Sequence, residues 1–307
     1  MRAVRRTGQT RPFSQTRRPR YRCLLPKAAL CLLLAALLCV CALPVRPAAA
    51  DGDIRALFIN VQKADAALLF LGEQRFLVDT GAKDSYPALK AALSLYGVTR
   101  LDGVIITHLH NDHVGGLKKL LKSDVAVERL YAGTLRADAY EGQDTVERLA
   151  ADRDIPLTRL QAGDSLSAGD SVFHVLGPLN RDAENENNNS LVLNLETPQG
   201  NLLLAGDMEL EEEAELLDGG LIPQAAVFKV GHHGEDDATS KRLVTVVKPQ
   251  WAVISTSTAE EPDTLDSKVV SRLWDVKAGV AVTQNGTVGI LVTLRDGRAT
   301  AEQIDAP

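Results

Sequence analysis

Five of the six histidines in this 307-residue chain fall into two tight groups, His108, His110 and His113 in one and the adjacent pair His232-His233 in the other. The first group has the spacing His-x-His-x-Asp-His over His108–His113, between a β-branched apolar run and a pair of glycines. On an extended segment alternate side chains point the same way, so His108 and His110 can ligate one ion together. The turn that follows presents Asp112 and His113 to a second ion. Asp207 ends an apolar run as Gly206-Asp207 and would by itself pass for an ordinary turn. A metal motif elsewhere in the chain makes it a candidate ligand. His232 and His233 sit between glycines after another apolar run, a setting that favours ligation over packing. All four cysteines (Cys23, Cys31, Cys39, Cys41) lie near the N-terminus, so from residue 51 onward any metal must use His, Asp, Glu or Asn. Imidazole and carboxylate suit zinc first, with manganese or iron as alternatives. His174, in the middle of a strand pattern, reads as a half-buried strand residue.

These residues need a scaffold, and the pattern supplies strand ends. Strands are expected at Ile54–Val61, Ala66–Leu71, Arg75–Val78 and Leu101–Thr107, with a helix at Pro87–Tyr96 and another opened by Gly115-Gly116. Further strands are expected at 126–131, 171–176, 191–196, 201–205, 225–230 and 251–255. Helices are expected near 145–152, 209–217, 240–247 and 267–277, and two strands close the chain. Each chemical residue follows the end of a strand. No linker divides residues 51–307, which predicts one α/β sandwich domain.

Charge is distributed unevenly. Residues 1–50 hold ten of the 34 Lys and Arg and no acidic residue, leaving 24 basic against 40 acidic side chains and a formal charge of −16 beyond them. A field of that sign disfavours avid non-specific nucleic-acid binding. The basic stretch, the apolar run 28–43 and Ala48-Ala49-Ala50 follow the order of a secretory signal at 1–50, with an uncleaved anchor as the alternative. The expected location is secreted or extracytoplasmic.

The segments Leu77–Gly81 (LVDTG), Thr107–Gly116 (THLHNDHVGG), Leu204–Asp207 (LAGD) and Lys229–Gly234 (KVGHHG) together resemble the metallo-β-lactamase superfamily. Within it the chain looks most similar to the C-terminal hydrolase domain of ComEC-type competence proteins. Val61–Ala67, with Asp65 before small residues, and Asn188–Leu193 (NNSLVL) extend that likeness to about residues 54–294. The resemblance implies a four-layer αββα sandwich with two divalent ions at one edge. It implies His108 and His110 on the first ion, Asp112, His113 and His232 on the second, and Asp207 bridging. It further implies Asp79 as a support for the histidine loop, and His233 facing the substrate as proton donor or anion contact.

The chain also departs from the family. Where the superfamily carries a third histidine on the first ion, this sequence has Glu186, Asn187, Asn188 and Asn189, which leaves Asn189, a water or nothing in that place. Where the branch has Gly-Gln-Gly-Asp, Ser after His-His-Gly, and Gly-His-Pro near the end, this chain has Gln62–Asp65, Glu235 and Glu260–Asp263. The expected activity is hydrolysis of a small or surface-attached ester, a phosphodiester first, with Asp112, Asp207 and His233 catalytic. An extracellular DNA nuclease, a lactonase or β-lactamase, and a metal-free scaffold are the alternatives.

Overall fold

A computed structural model describes residues 52–140, 142, 144–262 and 264–307. The expected signal segment, 1–50, lies outside the described residues. Among those described, no helix is long and apolar enough to cross a membrane.

The strands form two large sheets. The first takes β1 (Ile54–Ile59), β2 (Ala67–Leu71), β3 (Gln74–Val78), β5 (Gly103–Ile106), β7 (Leu130–Gly133), β8 (Leu157–Leu160), β16 (Gly289–Arg295) and β17 (Arg298–Ile304), in the order β17-β16-β1-β2-β3-β5-β7-β8. The second runs β15-β14-β13-β12-β11-β10-β9, from Gly279–Val282, Trp251–Ile254, Val227–Lys229, Leu202–Leu204, Val192–Glu196, Ser171–Gly177 and Ser165–Ala168 respectively. A short pair, β4 (Arg100–Leu101) and β6 (Ala126–Val127), stands apart.

Three apolar layers explain why these strands are hydrophobic on both faces. Successive strand residues point to opposite sides, so Leu57 of β1 packs outward while Phe58 packs inward. The inward layer, with Phe58, Phe76, Phe173 and Val227, glues the sheets together. On the outer side of the first sheet lie α1 (Tyr86–Leu95), α2 (Asn111–Val114), α3 (Leu117–Leu120) and α4 (Thr145–Arg153), contributing Leu89, Leu117 and Val146. On the outer side of the second lie α5 (Leu210–Asp218), α6 (Lys241–Val247) and α7 (Ser267–Asp275), contributing Leu216, Leu243 and Leu273. The result is the αββα sandwich of the metallo-β-lactamase fold.

Local departures from the sequence pattern have physical causes. The expected strand 101–107 breaks at Asp102, whose carboxylate accepts the Arg75 backbone N–H at 2.8 Å. The helix expected from Gly115 starts earlier, at Asn111, and divides at the two glycines into α2 and α3. Strands β8 and β9 are half exposed and carry few apolar residues, so hydrophobic patterning does not reveal them.

Candidate metal centre

Parallel strands carry their C-terminal ends to one edge, and that edge is where the chemistry gathers. In the first sheet β3 pairs in parallel with β5, Val78 opposite Ile105, so Asp79 and Thr107 leave the sheet side by side. In the second sheet β12, β13 and β14 are parallel, Leu204 opposite Lys229 and Lys229 opposite Val253. Asp207, His233 and Ser255 therefore emerge together, facing the histidine loop across the seam between the sheets.

Asp79 sits in the left-handed region at φ 60° and is almost fully buried. Its Oδ1 accepts the Thr107 N–H at 2.8 Å, and its Oδ2 accepts the Thr107 hydroxyl at 2.8 Å. Oδ2 also lies 2.9 Å from His113 Nδ1, which fixes that ring with Nε2 directed at Asp207 Oδ2, 3.0 Å away. The loop closes tightly over this support. A Cβ on Gly116 would stand 2.2 Å from the Thr80 carbonyl oxygen, a contact only glycine avoids.

His233 Nε2 lies 3.2 Å from Asp112 Oδ2 and 3.4 Å from Asp207 Oδ2, while its Nδ1 donates to the Ser255 carbonyl at 3.0 Å. One donor atom each from Asp112, His113, Asp207 and His233 lies within 4.8 Å of every other. Beside them His108 Nε2 is 3.8 Å from Asp207 Oδ2 and 3.1 Å from His110 Nδ1. Asp207 thus touches both halves of the histidine set.

Electrostatics record a charge this cluster is built to receive. Burial raises the Asp207 carboxyl, but His113 and His233 outweigh it and hold the group well below the usual carboxylate range. Burial lowers the His233 imidazole, yet Asp207 and Asp112 overcome it and push it up to about 10. His113 is likewise driven up by Asp207 and Asp79 against its burial. His108, with burial and then the neighbouring His113 against it, is held well below its ordinary value and stays neutral. Asp207 Oδ1 is buried and has no hydrogen-bond partner. An orphan carboxylate oxygen amid imidazole nitrogens fits divalent cations, so the residues present suit the group the motif implies.

Three expected site residues are placed as follows. His232, expected beside Asp112 and His113, turns away: its Nδ1 is 2.9 Å from Asp237 Oδ1 and 3.7 Å from Glu209 Oε1, and its Nε2 is 3.2 Å from Asn187 Nδ2. His233, expected from the pair's setting as a ligand and from the resemblance to face the substrate, is the one that reaches Asp112 and is 1% exposed. The cause is backbone: both histidines have positive φ, 41° and 51°, so they follow neither helical nor strand alternation. Asn189, expected as a ligand to the first ion, instead binds its own loop. Its Oδ1 accepts from the Asp182 N–H at 3.0 Å, and its Nδ2 donates to the carbonyls of Asp182 and Asn185 at 2.7 and 3.1 Å.

Other residues were not marked by the sequence pattern. Glu186 braces the histidine loop, one oxygen accepting the Leu109 N–H at 3.1 Å and the other the Ala137 N–H at 2.6 Å. Only a buried acidic residue within a polar loop could have signalled it. The departures from the competence-protein pattern meet at one place: Lys63 Nζ lies 2.7 Å from Glu235 and 2.6 Å from Glu261. His174, paired with Glu196 at 3.1 Å on the strand surface, has no part in the centre.

The family model described as the Metallo-beta-lactamase superfamily matches residues 61–257, and the chain belongs to that superfamily. Among curated relatives it is 31% identical over 250 residues to ComE operon protein 3 of Bacillus subtilis (strain 168), spanning 75% of this chain and 32% of that protein. It is 29% identical over 199 residues to Competence protein ComA of Neisseria gonorrhoeae, spanning 63% of this chain and 26% of that one. The chain thus matches about a third or less of these relatives' length. Among solved structures, the metallo-beta-lactamase fold protein YhfI from Bacillus subtilis aligns with TM-score 0.57 at 13% identity, over 78% of this chain and 99% of YhfI, a likeness of fold.

Proposed function

We propose that this domain is an exported, two-metal hydrolase of phosphodiesters, with small or surface-attached esters as substrates. The observation that carries the reading is the convergence of Asp112, His113, Asp207 and His233 on one point, with His108 and His110 alongside and an unpartnered Asp207 oxygen among them. His108 and His110 would hold one ion, Asp112, His113 and His233 the other, and Asp207 would touch both. Zinc is the first choice from the His and carboxylate donors, ahead of manganese and iron. When bound, such a pair of ions activates water near neutral pH and stabilises charge on the attacked and departing oxygens.

The chain's own residues set up the rest. Asp79 and the Ser255 carbonyl fix the His113 and His233 rings from behind, each through Nδ1, leaving both Nε2 atoms directed at the carboxylates. Asp207, ionised and enclosed, can orient a water. His232 stands outside this set, its ring held between Asp237 and Asn187. The net charge of −16 beyond residue 50 favours short or anchored diesters over long polyanions. Similarity to competence proteins supports the phosphodiester class.

The test is hydrolysis of bis-p-nitrophenyl phosphate by the purified protein with added zinc or manganese, beside His110→Ala. Metal-dependent turnover lost in the variant supports the reading. Absence of turnover from protein that still binds two ions rejects the phosphodiester class and moves thioesters, lactones and β-lactams forward.

A further inference from the structure

Among the described residues outside the histidine cluster, one buried acid, Glu212, is left with neither carboxylate oxygen partnered. Glu212, in the first turn of α5, is 3% exposed, and neither carboxylate oxygen has a hydrogen-bond partner. No ion pair reaches it among the described residues. Asn188, 5% exposed, presents a second orphan, its Oδ1, while its Nδ2 is tied to Asp182 Oδ2 at 3.0 Å. Both line a cavity of about 210 Å³ whose other walls include Asn180, Arg181, Asp182 and Glu215. The Arg181 guanidinium is directed elsewhere, to the Arg136 carbonyl at 2.7 Å and to Asp138. Glu215 accepts from Asn180 Nδ2 at 3.0 Å. Burial, with Glu215 nearby, drives the Glu212 carboxyl well above the usual range, as expected of an acid that lacks its counter-charge.

Three buried oxygens without donors, on residues that line a cavity ringed by further carboxylates, describe a receptor for a cation. Every donor is a carboxylate or amide oxygen, and none is imidazole or thiolate. Hard oxygen donors suit calcium, whereas zinc prefers nitrogen and sulfur. We propose that Glu212 and Asn188 form a calcium-class cation site, separate from the histidine cluster, that fastens the loop 181–189 to α5. The site has leverage on the chemistry. The same loop carries Glu186, which holds the Leu109 N–H between His108 and His110, and Asn187, which contacts His232. A cation at Glu212 would therefore hold the histidine loop's brace in place without touching the reacting groups. The inference stands independently of the substrate proposed above.

The experiment uses the full chain loaded with zinc, titrated with calcium chloride and followed by thermal unfolding and equilibrium dialysis. One calcium per chain is expected, with a Kd on the order of 10⁻⁴ to 10⁻³ M, the range of extracellular calcium modules. A saturable rise in Tm is expected alongside. Glu212→Gln, which keeps the shape and removes the charge, and Asn188→Ala should each lose both the rise and the bound calcium while retaining their zinc. No calcium-dependent rise in the wild type, or an equal rise and equal binding in Glu212→Gln, overturns the proposal.

Discussion

Lys229 Nζ lies 2.8 Å from Asp65 Oδ2, and both side chains are buried. The pair joins the end of β13, just before the His232-His233 turn, to the turn between β1 and β2. Asp65 is also tied by its backbone, donating to the Asp112 carbonyl at 3.1 Å and accepting from the Gly81 N–H at 2.7 Å. One ion pair thus links the two sheets directly behind the metal centre. Breaking a buried pair on one side leaves an uncompensated charge, which costs about 3–5 kcal/mol. Lys229→Met and Asp65→Asn should each lower stability on that scale in urea unfolding, and the double variant should recover much of the loss. Additive losses would show that the two groups do not depend on each other.

Asp79 makes no contact with Asp207 or Asp112, yet it holds His113 through Nδ1. Removing such a support typically lowers metal affinity or activity about 10–100-fold. Asp79→Asn should therefore weaken metal retention against a chelator by that factor while leaving the far-ultraviolet circular dichroism unchanged. Retention equal to wild type would remove Asp79 from the centre.

The two adjacent histidines should separate cleanly. His233→Ala should reduce bound metal to about one ion per chain by elemental analysis, because it deletes a donor next to Asp112 and Asp207. His232→Ala should keep both ions, because its ring is held by Asp237 and Asn187 away from those carboxylates. The opposite pattern would restore the assignment suggested by family resemblance.

Protons and metal compete for the same ring. In the metal-free protein the carboxylates push His233 up to about 10, so its charged form stabilises the apo fold below the unfolded value near ~6.5, and that contribution is lost as pH rises through about 10. Metal binding must expel this proton. Zinc titration of apo protein at pH 7.5 in buffers of differing ionisation enthalpy should show net proton release, and the release should shrink in His233→Ala. An equal release from both would place the proton elsewhere.

Much of this arrangement is legible in the sequence because its key spacing is local. His108, His110, Asp112 and His113 lie within six residues at a strand end, where alternation and turn rules govern direction. Asp207 follows a strand in the same way. The His232-His233 pair defeats those rules because two successive residues take positive φ, and no periodicity tells which ring points inward. Asn189 misleads for a different reason. Its amide satisfies the backbone of its own loop, a role open to any Asn in a turn and settled only by the folded path of residues 182–189. The Lys63, Glu235 and Glu261 cluster is likewise invisible in one dimension, since Lys63 lies 172 residues from Glu235 and 198 from Glu261. Read singly, the two glutamates add negative charge beside a metal centre. Together with Lys63 they form a rim of one net negative charge instead of two, so Lys63→Ala should slow an anionic diester more than a neutral ester, seen as a rise in KM for the diester alone.

The described stretch passes from the first sheet to the second after β8 and returns before β16, so β1 and β17 share a sheet and the strands between β8 and β16 form the other. Asp79, His108 and His113 belong to one of these slabs and Asp207 and His233 to the other. An ion held between them acts as a rivet across a hinge line, favouring the docked state over any splayed one by its binding free energy. Occupancy then reports closure. A chain that begins to part along the seam loses its ions before its helices melt, and in a zinc-poor medium it would be most exposed to proteases at the two crossings, near residues 161–164 and 283–288.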